Sequence, residues 1–120
     1  MKRPEQQIQQ AVIQHLKQRA HPGVLYWHTP NGAYLGKKRA QVGAIMRSLG
    51  VRAGVSDIIA LHQGKLFALE LKAPKGRPTE SQLEFLSDVQ AAGGYGVVAE
   101  GLDEAVRCLE FWGLVRGVAA

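Results

Sequence analysis

Between Pro4 and about Arg19 the apolar positions Ile8, Ala11, Val12 and Leu16 fall three and four residues apart. That spacing predicts a helix with one buried stripe, and Pro4 suits its first turn. His21-Pro22-Gly23 breaks the pattern, and Val24-Leu25-Tyr26-Trp27 reads as a short strand. A turn at Thr29-Pro30-Asn31-Gly32 precedes a helix from Lys38 to Leu49, stopped by Gly50, whose expected inner face is Ala44, Ile45 and Leu49. Two dense apolar runs follow, Asp57-Ile58-Ile59-Ala60-Leu61 and Leu66-Phe67-Ala68-Leu69-Glu70-Leu71, joined by His62-Gln63-Gly64-Lys65, the spacing of a β-hairpin. After a loop marked by Pro74, Gly76 and Pro78, Thr79-Glu80-Ser81-Gln82 matches a capping box. It opens a helix with Leu83, Leu86, Val89 and Ala92 at helical spacing, ended by Gly93-Gly94. Tyr95 to Ala99 predicts a strand, and Asp103 to about Trp112 a last helix with Ala105, Val106, Leu109 and Trp112 inward. The order α-β-α-β-β-α-β-α predicts one α/β domain over residues 1–120, with helices flanking a mixed central sheet.

Composition narrows the function. With 120 residues, 46% of them hydrophobic, one domain can bury a real core. No apolar run approaches the roughly 20 residues of a membrane span, and nothing at the N-terminus marks the chain for export. A single cysteine, Cys108, excludes an internal disulfide and is too little for a zinc site, which fits a reducing cytoplasmic setting, bacterial or that of a virus's host. The net charge of +5 is unevenly spread: residues 1–56 carry nine Lys/Arg and one acid, Glu5, whereas residues 57–120 carry six Lys/Arg and nine acids. A one-sided positive field attracts polyanions, of which nucleic acid is the commonest, although charge alone fits a merely solvated basic surface equally well.

The hairpin carries the chemistry. If it turns on Gln63-Gly64, His62 pairs with Lys65 and Asp57 faces Glu70, with Cβ atoms roughly 4.5–5.5 Å apart on one face. Lys72, two residues beyond Glu70, projects from that same face. Opposed carboxylates in apolar strands repel and are costly to desolvate. A hard cation such as Mg²⁺ or Mn²⁺ relieves both penalties, whereas Lys72 alone neutralises only one acid. The competing reading is a simple ion pair at a strand end.

Gly54-Val55-Ser56-Asp57, Glu70-Leu71-Lys72-Ala73-Pro74 and Gly76-Arg77-Pro78-Thr79 with Gln82 resemble the virus-type replication and repair nuclease (VRR-NUC) domain of the PD-(D/E)xK nuclease superfamily. The resemblance runs from the Glu5 helix through Asn31-Gly32 to the closing Tyr95–Trp112 strand and helix. Ser56 stands where the superfamily motif has proline. The resemblance implies a restriction-endonuclease-like fold, with Asp57, Glu70 and the backbone carbonyl of Leu71 as metal ligands and Lys72 acting on the attacking water. It further implies that Glu5 reaches the metal directly or through water, and that Gln82 lies beside the lysine. Mg²⁺ or Mn²⁺ would be the cofactor, and DNA the substrate.

Lys37, Lys38, Arg39, Arg47 and Arg52, with Lys75 and Arg77 in the loop after the catalytic strand, are candidate phosphate contacts, and Asn31 a candidate substrate contact. His28 is the one histidine placed near the turn that precedes these residues. Trp27, Phe85, Phe111 and Trp112 are expected in the core, with any exposed member available to a dimer seam. These observations predict a metal-dependent DNA endonuclease, selective for branched DNA or four-way (Holliday) junctions and acting as a homodimer. The alternative is a non-catalytic nucleic-acid-binding module on the same fold.

Overall fold

The computed structural model describes residues 4–30 and 39–117. Asn31, Lys37 and Lys38 lie outside them, as does the side chain of Arg39. The elements are α1 (Pro4–Arg19), β1 (Leu25–His28), α2 (Arg39–Ser48), β2 (Ile58–His62), β3 (Lys65–Lys72), α3 (Glu80–Ala91), β4 (Tyr95–Glu100) and α4 (Leu102–Phe111). This is the expected order, with boundaries shifted by a residue or two. Among the described residues, no helix is long and apolar enough to cross a membrane.

The four strands lie side by side in chain order, β1-β2-β3 antiparallel and β3-β4 parallel, so the sheet is mixed. The β2–β3 hairpin has the register its two-residue loop dictates: His62 pairs with Lys65 and Ile58 with Leu69. Gln63 (φ 53°) and Gly64 (φ 78°) both take positive φ, the requirement of a type I′ turn, whose twist matches that of the strands.

Alternation along the strands divides the core in two. Ile58, Ala60, Phe67, Leu69, Leu71 and Ala99 face Val12 and Leu16 of α1 and Ala105 and Leu109 of α4. On the opposite face, Ile59 and Ala68 pack beneath Leu86 of α3. Because β3 is covered on both sides, its last six residues are all buried, including Glu70 and Lys72. Those two share the α3 face by parity with Ala68.

Three expectations about inward faces are corrected. In α2, Ile45 (61% exposed) and Leu49 (77%) point outward, and Ala44 is exposed. The less exposed side carries Val42, Gly43 and Met46, a stripe set by four-residue spacing about 100° away from the one expected. In α3, Leu83 and Ala92 are exposed, and Gln82, Phe85, Leu86 and Val89 form the inner stripe; a polar residue takes the inward place at the first turn. Trp112 packs against Phe67, their ring centroids 5.2 Å apart, but Phe111 is 88% exposed and Trp27 is also exposed. Neither of the latter two belongs to the core.

Candidate active site

Asp57 lies just before β2, at the open end of the hairpin. Its Oδ2 accepts the Leu71 amide proton at 2.7 Å. The Asp57 carbonyl accepts the Thr29 amide at 3.0 Å and lies 2.7 Å from His28 Nδ1, so β1 and β3 both hold this residue in place. As a carbonyl only accepts, Nδ1 carries the proton in that contact. The side chain of Asp57 thus replaces a rung of the ladder beyond Ile58–Leu69 and turns its carboxylate toward Glu70.

Glu70 is 1% exposed, and its Oε1 is buried with no hydrogen-bond partner. Its Oε2 stands 3.6 Å from Lys72 Nζ, an ion pair that is itself almost wholly buried. Burial and then the charge of Asp57 push the Glu70 carboxyl up to about 8, and the opposing pull of Lys72 does not offset them. The sequence-predicted trio is therefore brought together at one strand end, with Glu70 inclined to hold its proton beside Asp57 and Lys72.

The surrounding loops fit closely. Gly54 has φ +81°, and a Cβ there would stand 2.3 Å from the Ser81 carbonyl oxygen, so the segment leading to Asp57 lies backbone to backbone on the first turn of α3. Ser56 is fully buried, and its hydroxyl has no partner. The capping box expected at α3 is present: Gln82 N donates to Thr79 Oγ1 at 3.2 Å, and Gln82 Oε1 accepts from the Thr79 amide at 2.8 Å. One end of the Gln82 side chain is thereby committed to the cap.

After β3, the Gly76 amide donates to the Ala73 carbonyl at 2.8 Å, closing a turn in which Lys75 takes φ +70°. The Lys75 amide donates to Glu100 Oε1 at 2.8 Å. Glu100 is register-paired with Lys72 across the parallel ladder, and it carries no motif that would single it out in the sequence. Glu5 is exposed and reaches the same loop, its Oε2 3.5 Å from the position of a Cβ on Gly76. Among the described residues no third His, Cys, Asp or Glu joins Asp57 and Glu70 in one metal-holding group, so Glu5 stands apart from the pair.

No family model and no curated protein matches the chain by sequence. A search of solved structures finds a protein described as "VRR_NUC domain protein", with a TM-score of 0.70 over 92% of this chain and 88% of that one, at 20% identity. The fold is that of a VRR-NUC domain. At that identity the likeness is one of fold.

In this VRR-NUC fold the donor set suits a hard divalent cation. Two adjacent carboxylates, one with an orphaned buried oxygen and a strong reluctance to ionise, leave a deficit of positive charge that oxygen-seeking ions such as Mg²⁺ and Mn²⁺ meet. Asp57 and Glu70 are the groups that would hold it. Lys75 and Arg77 are exposed on the loop that follows Lys72, and Arg47 and Arg52 are exposed beside the Gly54 segment.

Proposed function

We propose that this chain is a metal-dependent nuclease that hydrolyses DNA phosphodiester bonds. One observation carries the reading: Glu70 is buried against both Asp57 and Lys72, and one of its carboxyl oxygens accepts no hydrogen bond. A carboxylate pair of this kind weakens a fold unless a cation uses it. A bound Mg²⁺ or Mn²⁺ would supply a water acidic enough to attack near neutral pH and would offset charge on the scissile phosphate. Asp57 and Glu70 would hold it, Asp57 oriented by the Leu71 amide and Glu70 by its place in β3. Water adds to phosphorus as one P–O ester bond breaks, and the leaving oxygen takes a proton. Lys72, two residues along the same face, would position the attacking water and stabilise the negative charge that grows on the phosphate. Glu5 and Gln82 assist from the edge of the site, Glu5 through water and Gln82 from the first turn of α3. Lys75 and Arg77, with Arg47, Arg52 and the basic Lys37-Lys38-Arg39 run and Asn31, bind the strand chiefly through its phosphates.

A single domain of this size has little surface for reading a long base sequence, which favours recognition of DNA shape, as in branches and four-way junctions. A two-fold junction has two strands to cut, and a homodimer presents two sites in matching symmetry. The test is incubation with branched and linear DNA in Mg²⁺, Mn²⁺ or EDTA, alongside Lys72→Ala. Metal-dependent cutting by the wild type, lost in Lys72→Ala, is the expected result. No cutting of any DNA with metal present overturns the enzyme reading, and full activity in Lys72→Ala overturns the site assignment. Strand scission at two symmetric positions and a dimer mass in solution test the junction and dimer parts.

A further inference from the structure

Next to the segment that leads into Asp57 lies a groove of about 590 Å³ between α2, the segment 51–55 and the first turn of α3. The backbone joins it to the site: Thr29 on its wall donates its amide to the Asp57 carbonyl, and Val55 is two residues before Asp57. Met46, Val51 and Val55 give it an apolar lining, with Arg47 and Arg52 beside them. A DNA backbone asks only for cations and hydrogen-bond donors, so phosphate binding leaves this apolar lining unexplained. The two arginines also differ. Arg52 is fixed, paired to Asp88 at 2.5 Å and set 5.2 Å from the centroid of the Phe85 ring. Arg47 forms no ion pair among the described residues and is free to take an anion.

Gly43 supplies an independent observation. It sits inside α2, where glycine weakens a helix, and it lines the groove. Nothing within the described fold requires it: an added Cβ would meet only the movable Arg47 Nη1, at 3.4 Å. A larger side chain at this wall position would take up part of the groove that Gly43 leaves free.

We propose that this groove receives the base of an unpaired nucleotide of the DNA strand being cut, with the adjoining phosphate on Arg47. The inference rests on the nuclease reading of the neighbouring carboxylates and narrows its substrate class. The volume lies in the range of small-ligand sites, and the apolar lining with cations beside it matches a flat base carrying an anionic phosphate. In an intact duplex the base must first be unstacked and unpaired, which costs energy; at a branch point it is already available. The groove thus selects DNA with an unpaired nucleotide next to the scissile phosphate.

Binding in EDTA separates this from catalysis. The probes are a branched DNA with 2-aminopurine at the unpaired position and a fully paired duplex of equal length with the same base inside. Wild type is expected to bind the branched DNA on the order of tenfold more tightly and to change its 2-aminopurine emission. Gly43→Leu, which fills the groove while favouring the helix, is expected to lose both effects and to keep duplex affinity within about twofold. Val51→Ser, at a half-exposed position, removes apolar lining with little risk to folding and is expected to lower the preference several-fold; it carries the test if circular dichroism shows Gly43→Leu unfolded. Equal affinity for the two DNAs, unchanged emission, or wild-type preference in a folded groove variant overturns the proposal. Preferential binding without metal-dependent cutting leaves the groove standing and sinks the nuclease reading. Cutting of duplex and branched DNA alike, unaltered in the variants, does the reverse.

Discussion

Asp57 takes the Leu71 amide proton across the end of the hairpin, and through this one contact the fold orients the carboxylate that Glu70 must tolerate. Structure and charge can be separated at this position. Asp57→Asn keeps an oxygen acceptor for the Leu71 amide but removes the negative charge beside Glu70. It is expected to abolish cleavage while leaving the metal-free protein as stable as wild type or more so. Asp57→Ala leaves the Leu71 amide unpaired as well, a loss of about 1–3 kcal/mol. Melting curves in EDTA, set beside cleavage assays, check both; equal destabilisation by Asn and Ala would show that the hydrogen bond contributes nothing.

Glu70 gives the protein a pH signature. Folded, its carboxyl is pushed up to about 8, against 4.5 ordinarily, so between those values the folded state binds more protons than the unfolded one. Stability therefore falls as pH rises through that window in the absence of metal. A metal held at Glu70 would engage the ionised carboxylate, so its stabilisation would grow with pH. At 100 times its dissociation constant it adds about 2.7 kcal/mol, on the order of 10 °C in a domain of this size. Thermal melts from pH 5 to 8.5 in EDTA and in Mn²⁺ should diverge with pH, and Glu70→Gln should remove both the slope and the divergence. A Mn²⁺ effect that is as large at pH 5.5 as at pH 8 would contradict this picture.

What the sequence revealed, and what it hid, follows from the range of the interactions involved. The Gln63-Gly64 turn sets the hairpin register locally, pairing Ile58 with Leu69, and continuing that register by one residue brings Asp57 to Glu70, so the closeness of the two carboxyl groups was legible. The capping box was legible for the same reason, because its two hydrogen bonds span three residues. The inner face of α2 was not. Its apolar residues are scattered around the helix, and only contacts with distant segments decide that Met46 turns inward and Leu49 outward. Glu100 was equally hidden, since its tie to the Lys75 amide spans 25 residues and depends on the parallel pairing of β3 with β4. Leu83 misled because the buried place on the first turn of α3 goes to Gln82, a polar residue held by its cap.

Lys75 exchanges stability for charge. Its φ of +70° is a conformation that glycine adopts freely and lysine does not, in a turn closed by the Gly76 amide. Lys75→Gly is expected to be neutral or to stabilise the protein by up to about 1 kcal/mol while weakening DNA binding and reducing its salt dependence by about one phosphate contact. Lys75→Ala should show the same binding loss without the stability gain. Denaturant midpoints and a salt titration of affinity measure the two effects separately. Unchanged affinity in both variants would remove Lys75 from the DNA-binding surface.

Gly54 couples the Asp57 segment to α3, and two glycines with positive φ show how. At Gly54 an added Cβ would stand 2.3 Å from the Ser81 carbonyl oxygen and 2.8 Å from the Gln82 amide nitrogen, both backbone atoms with little room to yield. At Gly50 (φ +96°) an added Cβ would meet nothing within 4 Å. Gly50→Ala should therefore carry only the left-handed backbone penalty, about 1 kcal/mol. Gly54→Ala adds displacement of the first turn of α3, for a total of about 2–4 kcal/mol. The displacement also moves Asp57 relative to Glu70. Cleavage by Gly54→Ala should thus be impaired even well below its melting temperature, whereas Gly50→Ala should cut at the wild-type rate. Melting and single-turnover rates at 20 °C distinguish the two; equal losses in both variants would show that the close approach at Ser81 does not position the site.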